Sequence, residues 1–420
     1  MDSVTITSRI GRMISHKELD FLEDISGGIS RKDLAKRVID YQMMVRNKGI
    51  DPSFPPIKTT EDLEHFLKIH WAMSIVERYN DHFNNFSEFF EKDTHYLCLT
   101  LNDICDKYED TSKRCSHCAA GKGKGQTMDF FKLTGIDQRF WSLFRHAAIG
   151  RKGEPFLYNS YGNDLSSVVD YLIVKGIPEI SFYFGVFNED NPDYLIQTRE
   201  MENLKLRNPF VRFISGLTYH PFSPDMDCFE QGFRYAFDSC FRFSDEISIE
   251  LLASNVEEET SMENLASRFE TFRKALLMNY EVVEKEGNTI ITKGLKRALL
   301  SYKQPNTSVY AMGEYKKTLL KKGLKEKYDE VMGEITYPPI CASTLSHKYI
   351  VIEPDGGLKN CVSFEGMHTK SQFNLFEEGY GNMVMWLGSR FHEQRDTIKS
   401  RLEDLIHKRH NMCDCKYTDD

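Results

Sequence analysis

The sequence has no apolar run approaching the ~18–20 residues that span a bilayer. Its first ten residues, Met1 to Ile10, lack the basic-then-apolar order of a signal peptide. The expectation is a cytoplasmic protein without membrane partners. Basic residues are not in excess: 54 Lys and Arg stand against 63 Asp and Glu, a formal net charge of -9. General affinity for nucleic-acid phosphates is therefore not expected. Internal repeats and low-complexity tracts are missing as well. What is present is an ordinary folding composition, with 40% hydrophobic, 12% aromatic and 28% charged residues. A length of 420 residues accommodates one large domain and one or two smaller ones.

Ten cysteines in such a compartment are not a disulfide framework. Four fall between Cys98 and Cys118, Cys228 and Cys240 are isolated, and four fall between Cys341 and Cys415. Two groups at either end of a long middle segment suggest two metal sites in two domains.

Residues 1–92 read as helical: Ser30 is an N-cap candidate ahead of Leu34, Val38 and Ile39, and Thr60 to Tyr79 repeats the helical spacing. From Thr94 the pattern changes. Tyr96 to Leu101 has strand character. Strands are then expected at Phe144–Ile149, Ile177–Phe184, Phe210–Tyr219 and Ile247–Leu252, with helices at Asp164–Lys175, Cys228–Phe237 and Met262–Met278. Regular strand–helix alternation argues a parallel sheet with covering helices, and a whole barrel, a partial barrel and an open sheet all fit it. Residues 293–333 are lysine-rich and read as a helical connector. Near the C-terminus, Tyr349–Ile352, the turn Glu353-Pro354-Asp355-Gly356-Gly357 and Leu358–Cys361 read as a hairpin, and a helix over Trp386–His407 leads to Cys413 and Cys415.

Cys115-Ser116-His117-Cys118 places two thiolates on one face of a metal or cluster, and Cys105 precedes the pair by nine residues. Three thiolates hold three irons of a four-iron cluster and leave the fourth open. Gly121, Gly123 and Gly125 permit close backbone approach to an anionic cluster. A zinc site using Cys98, Cys105, Cys115 and Cys118 is the alternative. Cys98 lies in an apolar strand, and the paired spacing of zinc ribbons is missing. Cys98, Cys228 and Cys240 are most simply buried thiols.

The stretch Leu99 to Cys105 followed by Arg114-Cys115-Ser116-His117-Cys118 resembles the cluster loop of radical S-adenosylmethionine (SAM) enzymes, which usually reads C-x-x-x-C-x-aromatic-C after a strand. His117 fills the aromatic position, which in that family lies near the adenine of SAM. Nine residues rather than three separate the first two cysteines, as a polar insertion over Asp106–Lys113. Gly153-Glu154-Pro155 is similar to the Gly-Gly-Glu-Pro element that ends the family's second strand and holds the amino group of SAM. Lys152 replaces its first glycine. Ser215, and after it Glu250, are further candidates for SAM contacts. The stretch Ile350 to Cys361 resembles the start of SPASM and Twitch domains, which carry auxiliary clusters. Cys341, Cys361, Cys413 and Cys415 supply four ligands, enough for one such cluster or for a closed zinc site.

The resemblance implies an α/β fold with a partial (β/α)6 barrel over 93–290. It adds a helical N-terminal extension over 1–92, itself a peptide-recognition candidate, a connector over 291–335 and a SPASM/Twitch-like domain over 336–420. It implies a SAM-binding [4Fe-4S] cluster, one auxiliary [4Fe-4S] cluster, SAM itself, and an electron donor such as flavodoxin or ferredoxin. The implied chemistry is reductive cleavage of SAM to a 5′-deoxyadenosyl radical that abstracts hydrogen from substrate. The expected substrate is a ribosomally made peptide that is crosslinked, epimerised or oxidised. Dehydrogenation of a small molecule such as an aminosugar is the rival. A zinc-stabilised, non-enzymatic adaptor accounts for both cysteine groups but leaves Gly153-Glu154-Pro155 and the strand–helix alternation unrelated.

Overall fold

The apolar run Ala147-Ala148-Ile149 is buried within a mostly parallel sheet, on which the computed structural model of the chain is built. It describes residues 90–91, 95–105, 125–150, 153–188, 190–220, 225–252, 262–285, 288–306, 323–326, 349–359 and 373–389. The chain divides into two units, one of residues 1–90, 336–346 and 387–420, the other of 91–335 and 347–386. Apart from Phe90 and 387–389, the described residues belong to the second unit.

That unit is mixed α/β. Its strands are β1 (His95–Leu99), β2 (Phe144–Ile149), the short pair β3 (Asn159–Ser160) and β4 (Asn163–Asp164), β5 (Glu179–Phe184), β6 (Arg212–Tyr219), β7 (Glu246–Leu252), β8 (Glu281–Lys285), β9 (Asn288–Lys293), β10 (Lys296–Asn306), β11 (Tyr349–Ile352) and β12 (Leu358–Lys359). The helices are α1 (Phe130–Thr134), α2 (Gln138–Trp141), α3 (Leu165–Val174), α4 (Pro192–Arg207), α5 (Met226–Phe243), α6 (Met262–Leu277) and α7 from 375 onward. Asp164 starts α3 with a capping box to Ser167, and Asn191 caps α4 ahead of Pro192.

Ten strands form one sheet in the order β12-β11-β1-β2-β5-β6-β7-β10-β9-β8. From β11 through β10 every neighbouring pair is parallel, and β12, β9 and β8 are antiparallel additions at the two edges. Strands β1, β2, β5, β6, β7 and β10 stand side by side in chain order, without the reversal of a doubly wound sheet. Right-handed crossovers in a single direction put all the connecting helices on one face. Accordingly α3 packs on α4 and α4 on α5. The core between sheet and helices is aromatic: Phe182, Phe184, Phe213 and Phe243 meet there, and Tyr219 contacts Phe229, Phe233, Phe269 and Phe272.

The strands and helices expected between 144 and 278 form within about two residues of their expected ends, except that the helix expected over Cys228–Phe237 runs on to Phe243. Three differences matter. Residues 296–306, read as part of a helical connector, form β10, which pairs parallel with β7, so the sheet does not end at 290. Ala298 and Leu300 are buried alternately along it, a period of two that the lysine content obscured. Helix α4 was not anticipated. The hairpin forms as read, with Val351 opposite Lys359 and Ile352 opposite Leu358, yet it does not stand apart: β11 joins the main sheet beside β1. The expectations for 1–89, for 307–322 and for most of the C-terminal helix fall outside the described residues. No helix among the described residues is long and apolar enough to cross a membrane.

Candidate functional site

Parallel strands present all their C-terminal ends on one side, where loops gather without interrupting the ladder. The chain leaves β1 at Leu99 and passes through buried Thr100, whose N–H donates to the carbonyl of Ile352 at 3.0 Å. It then meets a returning arm. Asp103 N–H donates to Gln126 O at 3.0 Å, Gln126 N–H to the Asp103 carboxylate at 2.6 Å, and Met128 N–H to Leu101 O at 2.7 Å. Asn102 and Thr127 form an antiparallel bridge. The Tyr158 hydroxyl donates to Met128 O at 3.0 Å, and burial pushes its pKa up to about 12. The segment that begins at Cys105 therefore starts and finishes at one place, the C-terminal end of β1. Cys115, His117 and Cys118 lie within it, outside the described residues.

Gly153-Glu154-Pro155 follows β2 and is locked to the same arm. Glu154 N–H donates to Ile104 O at 2.7 Å, the Asn102 side-chain amide donates to Glu154 O at 3.1 Å, and Ile104 N–H donates to Asn102 Oδ1 at 3.2 Å. Gly153 has φ 55°. A Cβ there would lie 2.2 Å from Asn102 Oδ1 and 2.7 and 2.8 Å from the carbonyl oxygens of Asn102 and Ile104. Glu154 is 1% exposed, and its Oε2 accepts from Gly185 N–H, at the end of β5, at 3.3 Å. Pro155 opens a 3₁₀ turn over Pro155–Leu157, and Phe156 anchors it against Phe184 and Phe187. Thus three strand ends converge: the Cys105 arm, the Gly-Glu-Pro turn and the Phe184–Gly185 corner.

Ser215 does not join them. It alternates with Phe213 and Leu217 on the helix-facing side of β6, is fully buried, and its hydroxyl meets that of Ser244 at 2.6 Å. Its other neighbour is Cys240, whose thiol burial pushes up and so keeps protonated. Cys98 and Cys240 are buried as expected, whereas Cys228, in the first turn of α5, is only half-buried. Cys98 faces away from the helices, clustered with Ala148 and Val351.

Among the described residues, the face of the sheet opposite the helices is mostly polar. His146 Nε2 and Ser181 Oγ are 2.7 Å apart, and the His146 ring stands edge-on to Tyr96. Arg212 donates to Glu179 at 3.0 Å and to Glu246 at 2.5 Å, and Ser301 donates to Glu246 at 2.7 Å. Glu179, Arg212 and Glu246 lie at the N-terminal ends of β5, β6 and β7, and Ser301 joins them from the middle of β10. Nearer the C-terminal ends, Tyr183 lies 40% exposed across Gly216, where a Cβ would come within 2.9 Å of its ring. Glu250, half-buried, is in register with Thr218 and Lys303. Parallel sheets are ordinarily covered by apolar layers on both faces, and among the described residues this face departs from that rule in being polar. Asn102, Tyr183 and Arg212 were missed from the sequence; only the charges at the strand starts, Glu179, Arg212 and Glu246, were a visible signal.

Burial holds the pKa of His146 below its ordinary 6.5, with Glu179 opposing the shift and Arg212 adding to it. The charged imidazolium is therefore disfavoured in the folded protein. Its contribution to stability is complete above 6.5 and is lost as the pH falls through the depressed folded value. Urea unfolding at about pH 7.5 and about pH 5 is expected to show a smaller acid-induced loss for His146→Gln than for wild type. An equal loss in both would remove His146 from the account.

Among the described residues no group of three or more His, Cys, Asp or Glu is placed to hold a metal, and six of the seven candidate thiolates lie elsewhere in the chain. Just after β1, the Thr100 hydroxyl is buried with no hydrogen-bond partner among the described residues. In the second cysteine group, Cys341, Cys361, Cys413 and Cys415 are outside the described residues. The adjoining hairpin carries a buried ion pair, Lys359 Nζ to Glu353 Oε1 at 3.5 Å. β12 runs antiparallel to β11 and is described as far as Lys359. No family model, curated protein or solved structure matches this chain.

Proposed function

We propose that this chain is a radical SAM enzyme in which Cys105, Cys115 and Cys118 hold a four-iron cluster with one open iron. In this reading Gly153, Glu154 and Pro155, with His117, lie against SAM. The observation that carries the proposal is the hydrogen-bonded lock between the Cys105 arm and the Gly-Glu-Pro turn. Two motifs separated by about fifty residues are useful to one ligand only if the fold sets them side by side. Six parallel strands in chain order, with helices on one face, support a partial (β/α)6 barrel whose first two strands end at these motifs.

The chain's own residues have separable tasks. Three thiolates leave one iron free for an outside ligand. The Glu154 carboxylate and the carbonyls of its turn suit an ammonium group through charge-assisted hydrogen bonds. When bound, the cluster and SAM supply one-electron cleavage of SAM and a 5′-deoxyadenosyl radical that takes a hydrogen atom from substrate. The polar face around Tyr183 and Glu250 is the surface on which substrate would be oriented. The substrate class we favour is a ribosomally made peptide, ahead of a small molecule such as an aminosugar. Cys341, Cys361, Cys413 and Cys415 hold one auxiliary four-iron cluster.

The test is turnover of SAM by the anaerobically reconstituted, dithionite-reduced full chain. Formation of 5′-deoxyadenosine and methionine is expected, falling at least about tenfold in Glu154→Ala. Iron-loaded protein that leaves SAM intact would contradict the proposal.

A further inference from the structure

β8 is the outermost strand beyond β9, and all five of its residues, Glu281 to Lys285, are exposed. Val282 and Val283 are 42% and 53% exposed. Being consecutive, they point to opposite faces of the strand, so neither face of β8 is covered. The ladder to β9 runs without irregularity from Glu281 opposite Thr292 to Lys285 opposite Asn288. Neither a proline nor a bulge interrupts it; its short length and its charges Glu281, Glu284 and Lys285, which also blunt a sheet edge, discourage strands that do not match them. The outer row of backbone N–H and C=O groups is thus open to a further strand.

The charges on β8 select which strand. Glu284 accepts hydrogen bonds from the Thr289 hydroxyl on the neighbouring strand. Glu281 and Lys285 have no hydrogen-bond or ion-pair partner among the described residues. We propose that β8 pairs with β8 of a second copy of this chain, antiparallel and centred on Val283. Two-fold symmetry then sets Val283 against its own copy and Glu281 against Lys285 twice over, all on one face of the ribbon. Other alignments lose this match. A shift of one residue sets Glu281 against Glu284 or Lys285 against Val282, and a parallel in-register pairing sets every charge against itself. A five-residue ribbon is small beside the about 800 Å² per partner of stable interfaces, so the dimer is weak and concentration-dependent. This inference does not depend on the proposed chemistry.

Sedimentation equilibrium of the full chain from about 1 to about 100 µM tests it. Wild type is expected to shift from monomer to dimer across this range. Lys285→Glu and Glu281→Lys each replace two attractive cross-strand pairs with two repulsive ones, and each is expected to raise the dissociation constant about tenfold or more. The double variant Glu281→Lys/Lys285→Glu restores both pairs and is expected to dimerise like wild type. Both substituted positions are exposed, so folding is not at stake. Monomer at every concentration, a dimer indifferent to the single changes, or a double variant as weak as the singles would each overturn the proposal.

Discussion

Gly153→Ala is expected to unfasten the Cys105 arm. The residue sits at φ 55°, which costs an L-side chain about 1–2 kcal/mol. Its Cβ would also press on the backbone oxygens of Asn102 and Ile104 at 2.7 and 2.8 Å, atoms that cannot rotate aside. The combined cost is expected to reach about 2–4 kcal/mol, with the turn rather than the core giving way. Gly162 provides the control: its φ is 81°, but nothing lies within 4 Å of a Cβ there. Gly162→Ala therefore carries the conformational cost without the collision. Urea unfolding together with amide exchange at Ile104 and Glu154 measures the difference. Equal stability of the two variants, with unchanged protection at Glu154, would mean the turn and the arm are not coupled as described.

Phe156→Ala is expected to have the largest effect on stability. Phe156 is 2% exposed and packs at ring-centroid distances of 4.7 Å on Phe184, 5.1 Å on Phe187, 6.1 Å on Tyr194 and 6.3 Å on Phe243. Removing such a ring from a closed core costs about 3–5 kcal/mol, because rigid neighbours do not close the cavity. Phe156→Leu, which keeps most of the volume, is expected to lose less than half as much. Since Phe156 directly follows Glu154 and Pro155, the loss falls on the element that carries the proposed SAM contacts. A Phe156→Ala protein within about 1 kcal/mol of wild type would show that this aromatic cluster does not anchor the turn.

How far the sequence could be read depended on whether a signal was local. Phe144–Ile149 and Asp164–Lys175 announced themselves through apolar runs and a capping residue, and both form where expected. The motifs at Cys105 and at Gly153–Pro155 were likewise local. Their adjacency was not, because it rests on the parallel pairing of β1 with β2 and on Asn102, an asparagine with no pattern to mark it. Residues 296–306 were misread because lysine content was weighed above the alternation of Ala298 and Leu300. The helix-facing placement of Ser215 follows from a signal the sequence does contain. Phe213, Leu217 and Tyr219 share its parity on β6, and apolar parity marks the buried, helix-facing side of a strand. Helix α4 carried its own start signal in Asn191-Pro192, which went unread.

The central claim is a four-iron cluster on Cys105, Cys115 and Cys118, separate from a second metal group. Iron, sulfide and zinc content, measured with the ultraviolet–visible spectrum, decides the matter for anaerobically reconstituted wild type and a Cys105/Cys115/Cys118→Ala triple variant. About eight irons per chain falling to about four in the variant is the expected result. Zinc in place of iron in both proteins would contradict the account and favour a zinc-stabilised binding protein.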